Sequence, residues 1–479
     1  LVVGPYTLHP AGARPTITAV TLADGNEVAG LNINSASTGI DGDGSASGTI
    51  TSVGISGGTD GILLTNASGT FTLTNVTVAP GGAGVTISGT ADVTANNVAV
   101  TTSGFTGILG TGTGTVTFNG GSVSTTTGTA IDLSNHTLVG SGLVSVSASN
   151  GVDGIRLTGT SGSFTVTGTG AAGSGGTITG MTDRGVDLVN AGTVSLSYMN
   201  INASAQQGVL MQSTTAAASS VSVASSSFSG NFSNAVQAAN SSTGTMTVSV
   251  NASTFANNNA AVIVQSTSGP MDVTITNNTA TFNTGGPFSV VRNATATGGA
   301  DVIITGNTIG TSGVPGSGAT CGNCIGIQVV ALGSNVMNAQ ISNNTIRQIT
   351  GSGIIARAGE GTGSLNATIT NNLIEQPFGT PTVPGMQVQS GSLSADTNAV
   401  CAGITGNTVT GYTTHIFVRN VAAGTTFSLP GYAGLGTDTT AVANFLKANN
   451  NITTATALRK TTAPANQFSG GPACPTPTP

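Results

Sequence analysis

The sequence predicts an all-β fold, a parallel β-helix in which one strand pattern coils and stacks on itself about fifteen times. Three observations lead there. A small residue followed by apolar-x-apolar recurs at Gly39, Gly61, Gly84, Gly107, Ala130, Gly154, Gly185, Gly208, Ala235, Ala261, Pro287, Gly326, Gly353, Gly385 and His415. The early steps are 22 or 23 residues long, a period that marks stacked repeats rather than separate domains. Between these anchors β-branched residues and Gly crowd out the Ala, Leu, Glu and Lys of a helical repeat. Finally, the 38% of hydrophobic residues fall in alternating runs such as Thr70-Phe71-Thr72-Leu73-Thr74, which disordered low-charge segments lack.

Each repeat reads as strand, turn, strand. Gly61-Ile62-Leu63-Leu64 is followed by Asn66-Ala67-Ser68-Gly69 and then Phe71 to Val78, and the order recurs at Gly154 and Ala261. Side chains alternate along a strand, so the residues one and three after each anchor point inward (Ile62, Leu64; Val85, Ile87; Ile155, Leu157; Val186, Leu188; Val262, Val264; Ile327, Val329). Stacking about fifteen such rungs at about 4.8 Å predicts a rod roughly 70 Å long. Four segments follow: an N-terminal cap with the first rung (1–38), the repeats (39–425), a C-terminal cap (426–473) and a Pro/Thr linker or tail (474–479). Pro5, Pro10 and Pro15 interrupt pairing before Val20, Leu22, Leu31 and Ile33 begin the stack. At the other end Asp438 or Thr439 caps a short helix with Ala441, Val442, Phe445 and Leu446 on one face, placed to cover the last rung. Two long steps absorb insertions at Gly168–Gly176 and Gly310–Asn323, where a solenoid commonly carries its binding loops.

A second column appears in the later repeats: Asn278, Asn307, Asn344, Asn372 and Asn407, within Ile-Thr-Asn-Asn-Thr and its variants. Stacked amides hydrogen-bond along the axis, and Asn tolerates the left-handed backbone of a sharp corner. These turns, with the Gly-Ile-x-Val anchors, resemble the right-handed parallel β-helix repeat proteins that bacteria display or secrete, including adhesin-like and autotransporter-passenger-like surface proteins. Phe427-Ser428-Leu429-Pro430-Gly431-Tyr432, Ala441 to Asn449 and Phe468-Ser469-Gly470-Gly471 look like the C-terminal end of such repeat regions. The resemblance implies a right-handed coil on the cell surface or outside the cell and carries over no functional residue, because those families share rungs rather than an active site.

Composition narrows the function classes. Ten basic and sixteen acidic residues give a net charge of −6 and a charged fraction of only 5%, which argues against a nucleic-acid surface. No apolar run approaches the ~18 residues of a membrane helix, so this segment is not expected to insert into a membrane. The chain opens at Leu1 without a signal core, as a processed or excised segment would. Cys321, Cys324, Cys401 and Cys474 suit an oxidising compartment, with Cys321–Cys324 closing the inserted loop and Cys401–Cys474 tying back the tail. The Cys-Gly-Asn-Cys spacing also admits a redox or zinc site.

Register collects the central charges. Asp132, Arg156 and Asp187 share the outward position two after the anchor, and Asp153 and Arg184 the position before it. Alternating signs read as a surface ion ladder with both arginines paired to aspartates. The sharper alternative is a glycan-cleaving site using the carboxylates of Asp132, Asp153 and Asp187 as acid and base. Asp41 and Asp43 in Asp-Gly-Asp-Gly form a turn or a weak calcium site. Thr-x-Thr pairs do not persist from rung to rung, and His9, His136 and His415 form no cluster. Nothing calls for a cofactor or an enzyme. The expected function is a structural or adhesive segment whose Ser/Thr/Asn-rich surface meets glycans, neighbouring cells or copies of itself, with a lyase or hydrolase and a phage-type fibre as alternatives.

Overall fold

Stacked strands need a hydrogen-bond partner above and below, and among the described residues of each unit that partner is the neighbouring turn of the coil. The computed structural model describes residues 14–459 and 467–478, and Leu1, Pro5, His9 and Pro10 lie outside them. Nearly every described element is a short strand, and the strands pair in parallel. The chain divides into two compact units, Leu1–Asn200 and Ile201–Pro479.

In the first unit the residues that follow the anchors lie in one column: Ile40, Ile62, Val85, Ile108, Ile131, Ile155 and Val186. The second unit repeats this with Val209, Val236, Val262, Phe288, Ile327, Ile354, Met386, Ile416 and Ala455. We call this the anchor sheet. A rung of the second unit runs from an anchor strand (Val262–Ser266) through a middle strand (Met271–Thr276) and a sharp corner into a short strand (Thr279–Thr281). The inward residues one and three after the anchors are buried throughout, and each such Ile, Leu or Val contributes on the order of 1.5–3 kcal/mol. Phe228 and Phe255, in register on neighbouring rungs, stack with ring centroids 5.2 Å apart.

The anchors are small for a steric reason. A Cβ on Gly107, Gly154 or Gly326 would come within 2.6, 2.7 and 2.7 Å of the carbonyl oxygen of the next anchor. Where the stack ends the limit relaxes, and His415 occupies the last anchor with its Nδ1 accepting the Thr453 N–H at 3.2 Å.

The asparagine column is a continuous ladder. Each Oδ1 accepts both the main-chain N–H and the side-chain amide of the preceding Asn: Asn307 from Asn278 (3.0 and 3.0 Å), Asn344 from Asn307 (3.0 and 3.0 Å), Asn372 from Asn344 (3.1 and 2.9 Å) and Asn407 from Asn372 (3.0 and 2.9 Å). The ladder continues to Asn450, at the C-cap of the helix Thr439–Asn449, whose N-cap Asp438 accepts from the Ala441 N–H at 2.9 Å. One expectation is corrected here. The ladder residues do not supply the left-handed corner; the residues before them do, at Asn277, Gly306, Asn343, Asn371 and Gly406 with φ between 55° and 68°. The reason is that a ladder side chain must point inward along the axis, so the reversal falls on its neighbour.

Both disulfides are present, Cys321–Cys324 and Cys401–Cys474, which leaves no free thiol. The second fixes the tail against the outer face of the middle sheet. Asp301, Asn338, Asn366 and Cys401 share one column there, with Asn338 donating to Asp301 at 2.9 Å and Asn366 to Asn338 at 2.8 Å. Pro477 is buried, and Thr478 donates from its N–H and hydroxyl to Asp301 Oδ2 at 3.3 and 3.1 Å. The tail therefore runs back over three rungs.

Two predictions follow from these contacts. Replacing Asn344 with Leu takes the side-chain acceptor from the buried Asn307 N–H, removes one of the three acceptors of the Asn307 amide and the amide donor to the Ile304 carbonyl, and is expected to cost on the order of 3 kcal/mol in chemical denaturation. Asn343→Gly, at the left-handed position beside it, should change stability by less than about 1 kcal/mol. Replacing Cys401 and Cys474 with Ser reopens a loop of 73 residues and should lower stability by up to about 4 kcal/mol, with residues 475–478 becoming open to limited proteolysis.

Candidate functional site

Asp132, Asp153, Arg156, Asp183, Arg184 and Asp187 gather on successive rungs of the first unit, on or just before the anchor strands. Asp132, Arg156 and Asp187 are direct register neighbours. The Arg156 guanidinium grips Asp132 with both arms, Nε to Oδ1 at 3.0 Å and a terminal nitrogen to Oδ2 at 2.5 Å. That bond holds the guanidinium proton more firmly than usual. Nearly half of the Arg156 side chain meets solvent, so the pair contributes at most about 1 kcal/mol.

The other half of the cluster departs from expectation in two ways. Asp187 is not an outward surface group: it is 8% exposed, and Asp153 is 3% exposed. Flanking residues of the tightly stacked rungs cover both. Arg184 also does not pair with the Asp153 carboxylate. Its guanidinium turns within its own rung to Asp183 at 3.1 Å and Asp187 at 3.5 Å, and Asp153 Oδ1 accepts only its main-chain N–H, at 3.2 Å. Burial therefore dominates both carboxyls and raises their proton affinity, against the lowering by the Arg184 N–H at Asp153 and by the Arg184 charge at Asp187. Elevated carboxyls are what acid–base catalysis uses. A substrate oxygen must nevertheless reach them, and these two are covered while Asp132 is clamped.

The other candidates are engaged as well. Asp41 accepts the Asp43 N–H at 3.1 Å, and the Asp43 carboxylate takes the Thr65 hydroxyl at 2.7 Å and the Asn66 amide at 3.0 Å, which lowers its pKa. Among the described residues no three His, Cys, Asp or Glu side chains lie close enough to share a metal ion. Cys321 and Cys324 are joined to each other, and Thr350 braces their loop by accepting the Cys324 N–H at 3.0 Å and donating to the Cys321 carbonyl. His136 is wholly buried, its Nδ1 bonded to the Gly114 carbonyl at 3.0 Å, and its ring fills the space left by the missing side chain of Gly110. Burial keeps His415 neutral at lower pH than an ordinary His.

No family model, no curated protein and no solved structure matches this chain. Its site has to be read from its own geometry.

Three features escaped sequence reasoning. A second asparagine ladder, Asn231–Asn258–Asn283, runs where the short strands leave toward the anchor sheet. Arg292 is fully buried without a carboxylate, its guanidinium donating to the carbonyls of Gly298 at 2.6 Å, Leu332 at 2.7 Å and Ala296. It closes the turn after its strand, as Ser266 does by donating to Gly269 at 2.6 Å one rung earlier. The third concerns aromatics. Phe105, Phe232, Phe282 and Phe378, the exposed phenylalanines among the described residues, all sit on segments joining a short strand to the next anchor.

The raised carboxyls set a pH response with a definite sign. The folded state takes up protons at Asp153 and Asp187 at higher pH than the unfolded chain does, so stability rises as pH falls from 7 toward the ordinary aspartate value of 3.8. Melting the parent and the Asp153→Asn/Asp187→Asn double variant at pH 7 and pH 5 should show this component in the parent and a reduced one in the variant.

Proposed function

We propose that this chain is a β-helix segment of a secreted or surface-displayed bacterial protein, with a structural or adhesive role rather than a catalytic one. In this reading the coil is right-handed, the usual hand for parallel strand connections, with about fifteen rungs. One observation carries the proposal: ionised groups are few and several of them pair, as at Asp132/Arg156 and Arg347/Glu375 (2.7 Å), while the outward faces of the strands carry rows of Ser, Thr, Asn and Gln. Two disulfides support an oxidising setting. Such a surface recognises uncharged, hydroxyl-rich partners, foremost glycans, by hydrogen bonds in a weak field. Low charge also removes repulsion between copies, so self-association accompanies this role.

The test applies the full chain to a glycan array and to a reducing-end release assay. Retention on glycans without release of reducing ends is the expected result. Release that disappears in Asp132→Asn or Asp187→Asn would replace this reading with a hydrolase or lyase. A chain that neither binds glycans nor self-associates in electron micrographs would overturn the adhesive role.

A further inference from the structure

A phenylalanine left in water forgoes on the order of 1.5–3 kcal/mol that burial would supply. In the first unit Phe71, Phe118 and Phe164 are all buried, yet Phe105 is 51% exposed. It stands on the segment leading to Gly107, one rung beyond Gly81-Gly82-Ala83 and two beyond Gly58-Thr59-Asp60. Because the middle rung presents almost no side chain, the three segments enclose a notch of about 340 Å³ lined by Gly58, Thr59, Asp60, Gly81, Gly82, Ala83 and Phe105.

The walls differ in chemistry. One is the phenyl ring. The other, about 10 Å away at twice the rung spacing, is the Asp60 carboxylate, half-buried and oriented by the Thr59 hydroxyl, which donates to its Oδ2 at 3.2 Å. The floor is main chain, already hydrogen-bonded rung to rung, as from the Gly81 N–H to the Gly58 carbonyl at 2.8 Å. A ligand can therefore settle against the backbone without displacing a side chain. Asp60 is the one charged group of this lining, and it repels phosphate or sulfate.

We propose that this notch is a binding subsite for one neutral pyranose ring. The apolar C–H face of the sugar lies on Phe105, two neighbouring hydroxyls donate to the free valences of the Asp60 carboxylate, and the glycine floor admits the ring edge. A carboxylate accepts two hydroxyls well, and an aromatic face supplies apolar area without competing hydrogen bonds. The inference rests on the glycan-contacting role proposed above and names the ligand class and the residues. The placement of Phe232, Phe282 and Phe378 on corresponding segments of the second unit makes that class of segment the contact edge within each unit.

The experiment titrates the full chain with the methyl glycosides of glucose, galactose, mannose and N-acetylglucosamine, read by saturation-transfer NMR, alongside the glycan array. Phe105→Ala and Asp60→Asn are compared with the parent, and Leu435→Ala, at an exposed side chain away from the joining segments, serves as a control in the other unit. Both notch positions are solvent-facing, and melting curves verify that the variants fold. The expected result is binding of at least one glycoside, reduced tenfold or more by Phe105→Ala and by Asp60→Asn and unchanged by Leu435→Ala. Undiminished binding in both notch variants overturns the subsite and leaves the adhesive role standing. A parent that binds no glycoside and no array glycan overturns the subsite too, and the adhesive role falls with it only if self-association is also absent. Self-association abolished by Phe105→Ala would make a second copy the occupant in place of a sugar.

Discussion

The main-chain contact between one anchor and the next governs most of what this chain displays. Consecutive rungs approach so closely that a Cβ on Gly154 would stand 2.7 Å from the Gly185 carbonyl, and the anchors are Gly or Ala at every rung but those of Pro287 and His415. Once that contact sets the register, every other residue stacks on its counterpart one period away. Similar residues then accumulate in columns: aliphatics inward, amides at the corner, Ser, Thr and Asn outward. The scarcity of charge follows from the same geometry, because a charge repeated in a column would sit about 4.8 Å from its own kind. Arg156 between Asp132 and Asp187 obeys this rule by alternating sign. Asp272 and Asp301, stacked directly on each other, do not, and Asp272 holds its proton more tightly through burial and the charge of Asp301.

The anchors were legible in the sequence because the limit on them is steric and local. The first asparagine ladder was legible because its frame, Ile-Thr-x-Asn-Thr, is repeated nearly verbatim. The ladder at Asn231, Asn258 and Asn283 obeys the same hydrogen-bond rule but lies in Gly-Asn-Phe-Ser, Asn-Asn-Asn-Ala and Phe-Asn-Thr-Gly contexts, so no shared frame announces it. A column is a relation between rungs, and a pattern search finds it only when the neighbours repeat as well.

The charged groups were the least legible, for a related reason. Register correctly placed Asp132, Arg156 and Asp187 together, but it cannot say which way a long side chain folds. Arg184 reaches along its own rung to Asp183 and Asp187 instead of across to Asp153. Arg292 finds its partners among carbonyls of the turn it closes, and carbonyls leave no mark in a sequence. Burial of Asp153 and Asp187 likewise depends on the neighbouring turns rather than on the alternation of the strand.

Such a scaffold confines specific recognition to the places where stacking is relaxed. The sheets present repeating rows of outward hydroxyls and amides, some of them bonded along the column, as Asn119 to Asn96 at 2.9 Å and Asn366 to Asn338 at 2.8 Å. Rows of this kind offer many weak, similar contacts, and partners that occupy several rungs gain from multivalency rather than from a single pocket. The segments before the anchors are different. They vary in length and carry the insertion closed by Cys321–Cys324 along with the exposed phenylalanines, and their side chains need not match from rung to rung. A residue such as Phe105 can therefore change without disturbing the core beneath it. The same stacking that forbids variation at the anchors concentrates it at the joining segments, and chemistry that singles out one ligand has to be located there.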